Sequence, residues 1–200
     1  MPQGPNLVTK CPLIIQVFNS HESDREYAYF SDYPAITFSV EQLPGEISKK
    51  MALVSGENSA ISSQPVKINI HSKKMPCLTI IDLPGLTRIP TIDQPSNIDE
   101  ITFSICNEHI SPPNAIIIAV APANVDLVTS EALKLAQKVD PNGHRTVLAI
   151  TKLDLAENRA SIPELLQSDN IRFKCLKFGV VLKSQAYQNL VISNFLLNKD

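Results

Sequence analysis

Two hundred residues of ordinary globular composition are enough for one good core, and a single domain is the expectation. A net charge of −2, with no clustered Lys and Arg, offers no electrostatic footprint for a phosphate backbone, so no nucleic acid is expected as a partner. The four cysteines, Cys11, Cys77, Cys106 and Cys175, are far apart and form no C-x-x-C pair, which argues against a zinc knuckle or a disulfide framework and for a reducing compartment.

The chain opens on "MPQGPNLVTK", a loop-like stretch without the basic-then-apolar profile of a signal peptide. Pro12 to Phe18, "PLIIQVF", is the first of several apolar runs that are continuous rather than alternating, as in strands buried on both faces. From Asn19 to Ile61 the pattern is less regular and reads as an insertion, with a helix expected from Pro44 to Val54. Val66 to Ser72, "VKINIHS", alternates and predicts a half-exposed antiparallel strand. Leu78 to Asp82, "LTIID", is again a buried-type strand. The stretch from Ser96 to Ile110 has helical spacing at Ile98, Ile101 and Ile105.

Asn114 to Pro122 predicts the next strand, and its apolar core, Ala115 to Ala121, is far too short to cross a bilayer of about 30 Å. Thr129 before Glu131 marks a helix start, with Leu133, Ala136 and Val139 on one face. "DPNG", Asp140 to Gly143, is a turn in which Asp and Pro initiate and Gly supplies positive φ. Arg145 to Thr151 and Phe178 to Leu182 are two further strands, and Ser161 before Pro163 and Glu164 signals a helix between them. Strands alternating with helices predict an α/β domain with a mostly parallel sheet.

Two strand ends carry chemistry, because ligands in open α/β folds bind at the carboxyl edge of the sheet. In "DLPG" Asp82 can hold a water of a magnesium ion, and the amide of Gly85 can donate to a terminal phosphate, where glycine permits close approach. In "TKLD", Thr151 to Asp154, the Asp154 carboxylate can accept side by side from N1 and the exocyclic amine of guanine, a match that adenine lacks, while Lys152 lays its stem along the base. A strand followed by a Pro-Gly turn, or a Lys and an Asp in a solvated loop, is each a bland alternative; the two motifs in this order are more specific than either. No G-x-G-x-x-G follows any strand, which weighs against a dehydrogenase. His21, His71, His109 and His144 are dispersed and read as surface or boundary residues. The aromatic cluster Tyr27, Tyr29, Phe30, Tyr33 and Phe38 reads as packing of the insertion, and Asp24-Arg25-Glu26 and Lys73-Lys74 as solvated loop tips.

"PQGPNLVTKCPLIIQV", "LTIIDLPGLTRIPTIDQPSNIDEI" and "NAIIIAVAPANVDLVTSEALKLAQKVDPNGHRTVLAITKLDL" resemble the dynamin-type large GTPases through most of the chain. The resemblance implies a P-loop NTPase-like GTPase domain that uses Mg²⁺ and GTP and works on membranes by self-assembly with dynamin-family chains. It also implies a cytoplasmic protein that associates with membranes or mitochondria. By it Thr9 is the switch-one threonine that coordinates magnesium and fixes the attacking water through its backbone. Asp82 and Gly85 take the magnesium and γ-phosphate roles, and Thr151, Lys152 and Asp154 the guanine roles. "FGVVLKSQ" is similar to the last nucleotide motif; Lys183 and Ser184 keep its pattern and Leu182 replaces its asparagine. Gly4 resembles the first of two switch-one glycines that hold a monovalent cation, and the second is Asn6 here. "EYAYFSDYPAITF" and "PPN" resemble mitochondrial inner-membrane fusion dynamins, whereas "LTRIP" and "SEALKLAQKVDP" are nearer the dynamin, division and Mx groups, so the branch stays open.

Only six glycines are present and none precedes a Lys, so the sequence contains no G-x-x-x-x-G-K-[ST] loop. The expectation is a partial G domain, residues 1–200, whose N-terminal strand, phosphate loop and first helix are absent, with the membrane-binding and assembly regions also outside it. Such a chain has no amide cradle for the β- and γ-phosphates and is not expected to hydrolyse GTP alone. Loss of a central strand is expected to leave two apolar strands with open edges, and hence marginal stability and aggregation. The alternative expectation is a truncated, hydrolysis-deficient paralogue acting as a binding or regulatory module.

Overall fold

The computed structural model describes residues 9–19, 26–56, 61–86, 95–153 and 173–179, which fall into two compact units, residues 1–115 and 116–200. In the first unit β1 (Leu13–Asn19), β2 (Tyr27–Phe30), β3 (Thr37–Phe38), β4 (Val66–Ser72) and β5 (Leu78–Asp82) form a sheet in the order β3-β2-β4-β1-β5. Two helices accompany them, α1 (Leu43–Ser55) and α2 (Ile98–Ile110). α1 starts with a proline in its first turn, carries Glu46 there, and ends at Gly56 with φ +69. Its buried residues Leu43, Ile47 and Met51 recur every fourth position and pack on the inner face of the sheet against Leu13, Val17, Ala28, Ile68 and Ile70. Each such side chain contributes about 1.5–3 kcal/mol by leaving water, which makes this the principal core of the unit.

β4 differs from its sequence expectation. It is parallel to β1 and antiparallel to β2, and because it lies between them it is mostly buried instead of half exposed. Of its outward residues Lys67 is exposed and the other two are covered: the Asn69 amide donates to Ser31 Oγ at 2.9 Å, and the His71 ring stacks on Tyr27 and Phe18 with centroids 4.7 and 5.1 Å away. The insertion is thus the part of the sheet that buries β4, and the ring stack confirms packing as the role of Tyr27 and Tyr29. β5 also differs. Among the described residues it pairs antiparallel with β1 alone, which sets it at the edge of this sheet, and Leu78, Ile80 and Ile81 are each 38% exposed.

In the second unit β6 (Ile117–Pro122), β7 (Thr146–Thr151) and β8 (Leu176–Gly179) form a wholly parallel sheet in the order β6-β7-β8. The mostly parallel pairing expected of the domain holds for this sheet, while in the first sheet β1–β4 is parallel and the other pairs are antiparallel. α3 (Glu131–Val139) connects β6 to β7. Its cap is Ser130, whose hydroxyl accepts from the Leu133 amide, and not Thr129, which closes a short 3₁₀ turn just before it. α3 packs on β6 and buries Leu133 and Ala136 as its periodicity predicts.

Among the described residues the opposite face of this sheet is apolar, and its outer strands are exposed there. Strand register aligns Ile118, Val147 and Leu176 in one row and Val120, Ala149 and Phe178 in the next, with Ile118 62% and Val120 54% exposed. The turn into β7 follows the sequence expectation. Gly143 has φ +67, and the Asp140 carboxylate accepts from the amides of His144 and Arg145 and from the Thr146 hydroxyl at 3.2, 3.0 and 2.6 Å. A β-carbon on Gly143 would lie 1.8 Å from the Lys174 carbonyl oxygen, so glycine is required by close approach as well as by φ. The helix signalled at Ser161 to Glu164 and the end of the last strand, residues 180–182, lie outside the described residues.

Candidate functional site

The antiparallel register between β1 and β5 sets Leu13 opposite Asp82, so the segment leading into β1 meets the end of β5. There the Thr9 hydroxyl donates to Asp82 Oδ2 at 2.9 Å, 73 residues apart in sequence. The two residues that the sequence singles out for a metal are therefore neighbours, both half-buried. A hydroxyl and a carboxylate are hard oxygen donors, and magnesium is commonly held by one or two such side chains while it keeps waters and phosphate oxygens as its other ligands. Among the described residues no group of three or more His, Cys, Asp or Glu converges elsewhere as a metal cage. The donor set fits Mg²⁺.

Beyond Asp82 the chain leaves the strand through Leu83 and Pro84. Pro84 is buried, and the thiol of Cys106 on α2 donates to its carbonyl at 3.5 Å. Burial pushes the Cys106 thiol up to about 11, so it stays a neutral donor here. This anchor beneath the turn has no signature in the sequence beyond a cysteine on the apolar side of a helix. Gly85 follows at the surface, with neither a positive φ nor any described atom within 4 Å of an added β-carbon. Among the described residues nothing in backbone or packing demands glycine at that position; the demand the sequence reading makes is that of an approaching ligand.

In the second unit Thr151 ends β7, and its carbonyl accepts from the Ala123 amide at 2.8 Å while its hydroxyl donates to the Ala121 carbonyl at 3.4 Å. Lys152 follows, exposed, with φ +55, and Leu153 is buried. Asp154, Lys183 and Ser184, with Gly4, Asn6 and Leu182, lie outside the described residues. The structure thus brings Thr9 and Asp82 together, sets Gly85 close by in the chain, and places Thr151 and Lys152 at the carboxyl end of a parallel strand. Of the remaining polar groups, Asp140 belongs to the turn already described, and the exposed Cys77 sulfur accepts the Asn19 amide at 3.2 Å. No described helix is long and apolar enough to cross a membrane.

Residues 1–153 match the family described as "Dynamin family". Among similar proteins, dynamin-related protein dnm1 of Schizosaccharomyces pombe is 35% identical over 97% of this chain and 29% of its own length. Dynamin-B of Dictyostelium discoideum is 36% identical over 92% of this chain and 23% of its own length. Dynamin-1-like protein of Danio rerio is 36% identical over 92% of this chain and 29% of its own length. The chain therefore spans less than a third of the length of these relatives.

Proposed function

This chain belongs to the dynamin family, and from that premise we propose that it supplies part of a GTPase domain that binds Mg²⁺ and GTP in a membrane-remodelling protein. The observation that carries the proposal is the contact between Thr9 and Asp82 at the head of "DLPG", made by residues 73 positions apart. Thr9 and Asp82 would hold the metal, directly or through its waters, and the metal when bound would neutralise charge on the β- and γ-phosphates. Gly85 would donate its amide to the terminal phosphate. Thr9 would also orient the attacking water through its backbone, in a direct displacement with no covalent intermediate. Thr151, Lys152 and Asp154, with Lys183 and Ser184, would make the guanine end, and selection of GTP over ATP would come from leaving a carboxylate unpaired against adenine.

We further propose that residues 1–200 are a partial G domain. Supporting this are the edge position of β5 and the open apolar face that Ile118 and Val120 share with Leu176 and Phe178, surfaces that a soluble fold normally covers. The absence of any G-x-x-x-x-G-K-[ST] sequence in the 200 residues fits the same reading. Self-assembly and membrane association would then belong to the native-length protein. The rival reading, a hydrolysis-deficient paralogue that binds its relatives, makes a different prediction about length.

Intact-mass measurement of the endogenous product comes first, followed by GTP turnover of that product with Asp82→Asn and Thr9→Ala. A product longer than 22.0 kDa, with magnesium-dependent turnover that falls about 10²-fold or more in each variant, is the expected result. A 22.0 kDa product that neither binds nor turns over GTP would overturn the enzymatic proposal and favour the paralogue.

A further inference from the structure

We propose that Thr151, Lys152 and Leu153 form a pre-set turn, with Thr151 and Leu153 as positioning residues, and that guanine selectivity depends on the left-handed backbone at Lys152. The inference rests on the nucleotide reading above and goes beyond it, because it assigns Thr151 and Leu153 a role through the protein's own chain.

Lys152 is the one non-glycine residue with positive φ among the described residues, at +55°. A side chain with a β-carbon crowds the backbone in that region, and Gly, Asn or Asp would adopt it more readily. Such a conformation persists when its surroundings over-determine it, and it tends to occur where geometry serves function. The surroundings here are two anchors on either side of a single residue. On one side Thr151 is tied twice to the end of β6, by the Ala123 amide at 2.8 Å and by its own hydroxyl on the Ala121 carbonyl at 3.4 Å. On the other side Leu153 is 7% exposed. Relaxing Lys152 to an extended backbone would therefore pull Leu153 from the core or break the Ala123 bond to Thr151.

The consequence is a lysine held at the surface in one backbone state at the end of a parallel strand. A ligand that meets a group already fixed loses less conformational entropy on binding, and discrimination between similar ligands then depends on placement. The hydroxyl of Thr151 donates to the Ala121 carbonyl, which makes it part of the support. The backbone state is not visible in the letters "TKLD", where the leucine looks incidental.

The test uses the native-length protein and measures affinity for fluorescent GTP and ATP analogues. Lys152→Gly and Lys152→Val both remove the lysine stem, but glycine takes positive φ freely and β-branched valine does not. The expected result is a GTP-over-ATP ratio higher in the glycine variant than in the valine variant by roughly tenfold or more. Leu153→Ser should lower the ratio similarly while leaving ATP affinity in place, and Leu153→Met should retain it. A purely structural role would move both affinities together and leave the ratio unchanged. Equal ratios in the glycine and valine variants overturn the positioning proposal while the nucleotide reading stands, and they decide the matter even if Leu153→Ser does not fold. A wild-type protein with no preference for GTP overturns both.

Discussion

Replacing Gly85 with alanine should separate stability from function. An added β-carbon meets no described atom within 4 Å and the residue does not have positive φ, so the folded state gains no clash and no strain. The unfolded chain loses conformational freedom, and glycine-to-alanine changes of this kind stabilise by about 0.4–1 kcal/mol. For a chain of this size that corresponds to a rise of about 1–4 °C in the unfolding midpoint. Turnover should move the other way. If the Gly85 amide donates to the terminal phosphate, the β-carbon pushes that phosphate off the donor, and loss of one such donor costs about 10²–10³ in rate, or about 3–4 kcal/mol. Scanning calorimetry of the 200-residue chain and a steady-state GTP hydrolysis assay on the native-length protein read the two effects. A fall of several degrees would show that glycine is there for packing. A stable variant with undiminished turnover would remove Gly85 from the site.

Gly143→Ala should destabilise by about 2–4 kcal/mol, since it combines positive φ with a β-carbon 1.8 Å from the Lys174 carbonyl oxygen; urea unfolding that shows less than about 1 kcal/mol would contradict the close approach. Burial pushes the Asp140 carboxyl up, but hydrogen bonds from Thr146, Arg145 and His144 and the charge of Arg145 outweigh it and hold the group below the usual carboxylate range. A depressed folded value means that this stabilisation is fully present above the unfolded value of about 3.9 and is lost as pH falls through the folded one. Asp140→Asn should therefore cost about 1–3 kcal/mol at pH 7, with the gap to wild type narrowing in acid; a gap independent of pH would refute the assignment. Ile118→Lys with Val120→Lys should reduce light scattering by the isolated 200-residue chain and change its stability by only about 0.5 kcal/mol, because both side chains face outward. In the native-length protein the same pair should destabilise by several kcal/mol if that face is covered there, and an unchanged midpoint would count against the partial-domain proposal.

Outside the insertion that holds β2 and β3, the sequence by itself determined the element types, and for identifiable reasons. Continuous apolar runs became β1, β5, β6 and β7, and Leu43 to Ser55 and Glu131 to Val139 formed helices where proline, acid and apolar spacing agree. Alternation of strand and helix patterns also set the class, and the long stretches around "DLPG" and "TKLD" carried the family resemblance. These properties are local: propensity, capping and turn chemistry act over a few residues, so they are legible one window at a time. Tertiary structure alone decided how the strands pair. Alternation in "VKINIHS" reports one polar side, but whether water or a neighbouring strand covers it depends on Tyr27 and Phe18, residues 44 and 53 positions before His71. Likewise "LTIID" reads as buried, whereas its exposure follows from having β1 as its single neighbour. The site shows the same division. "DLPG" and "TKLD" announce their chemistry in sequence, while the meeting of Thr9 with Asp82, the Cys106 anchor under Pro84 and the left-handed Lys152 between two fixed neighbours arise from strand register and packing. Those are relations between distant segments, and a chain acquires them only when the entropy of closing the intervening loops is offset by burying the surfaces they join.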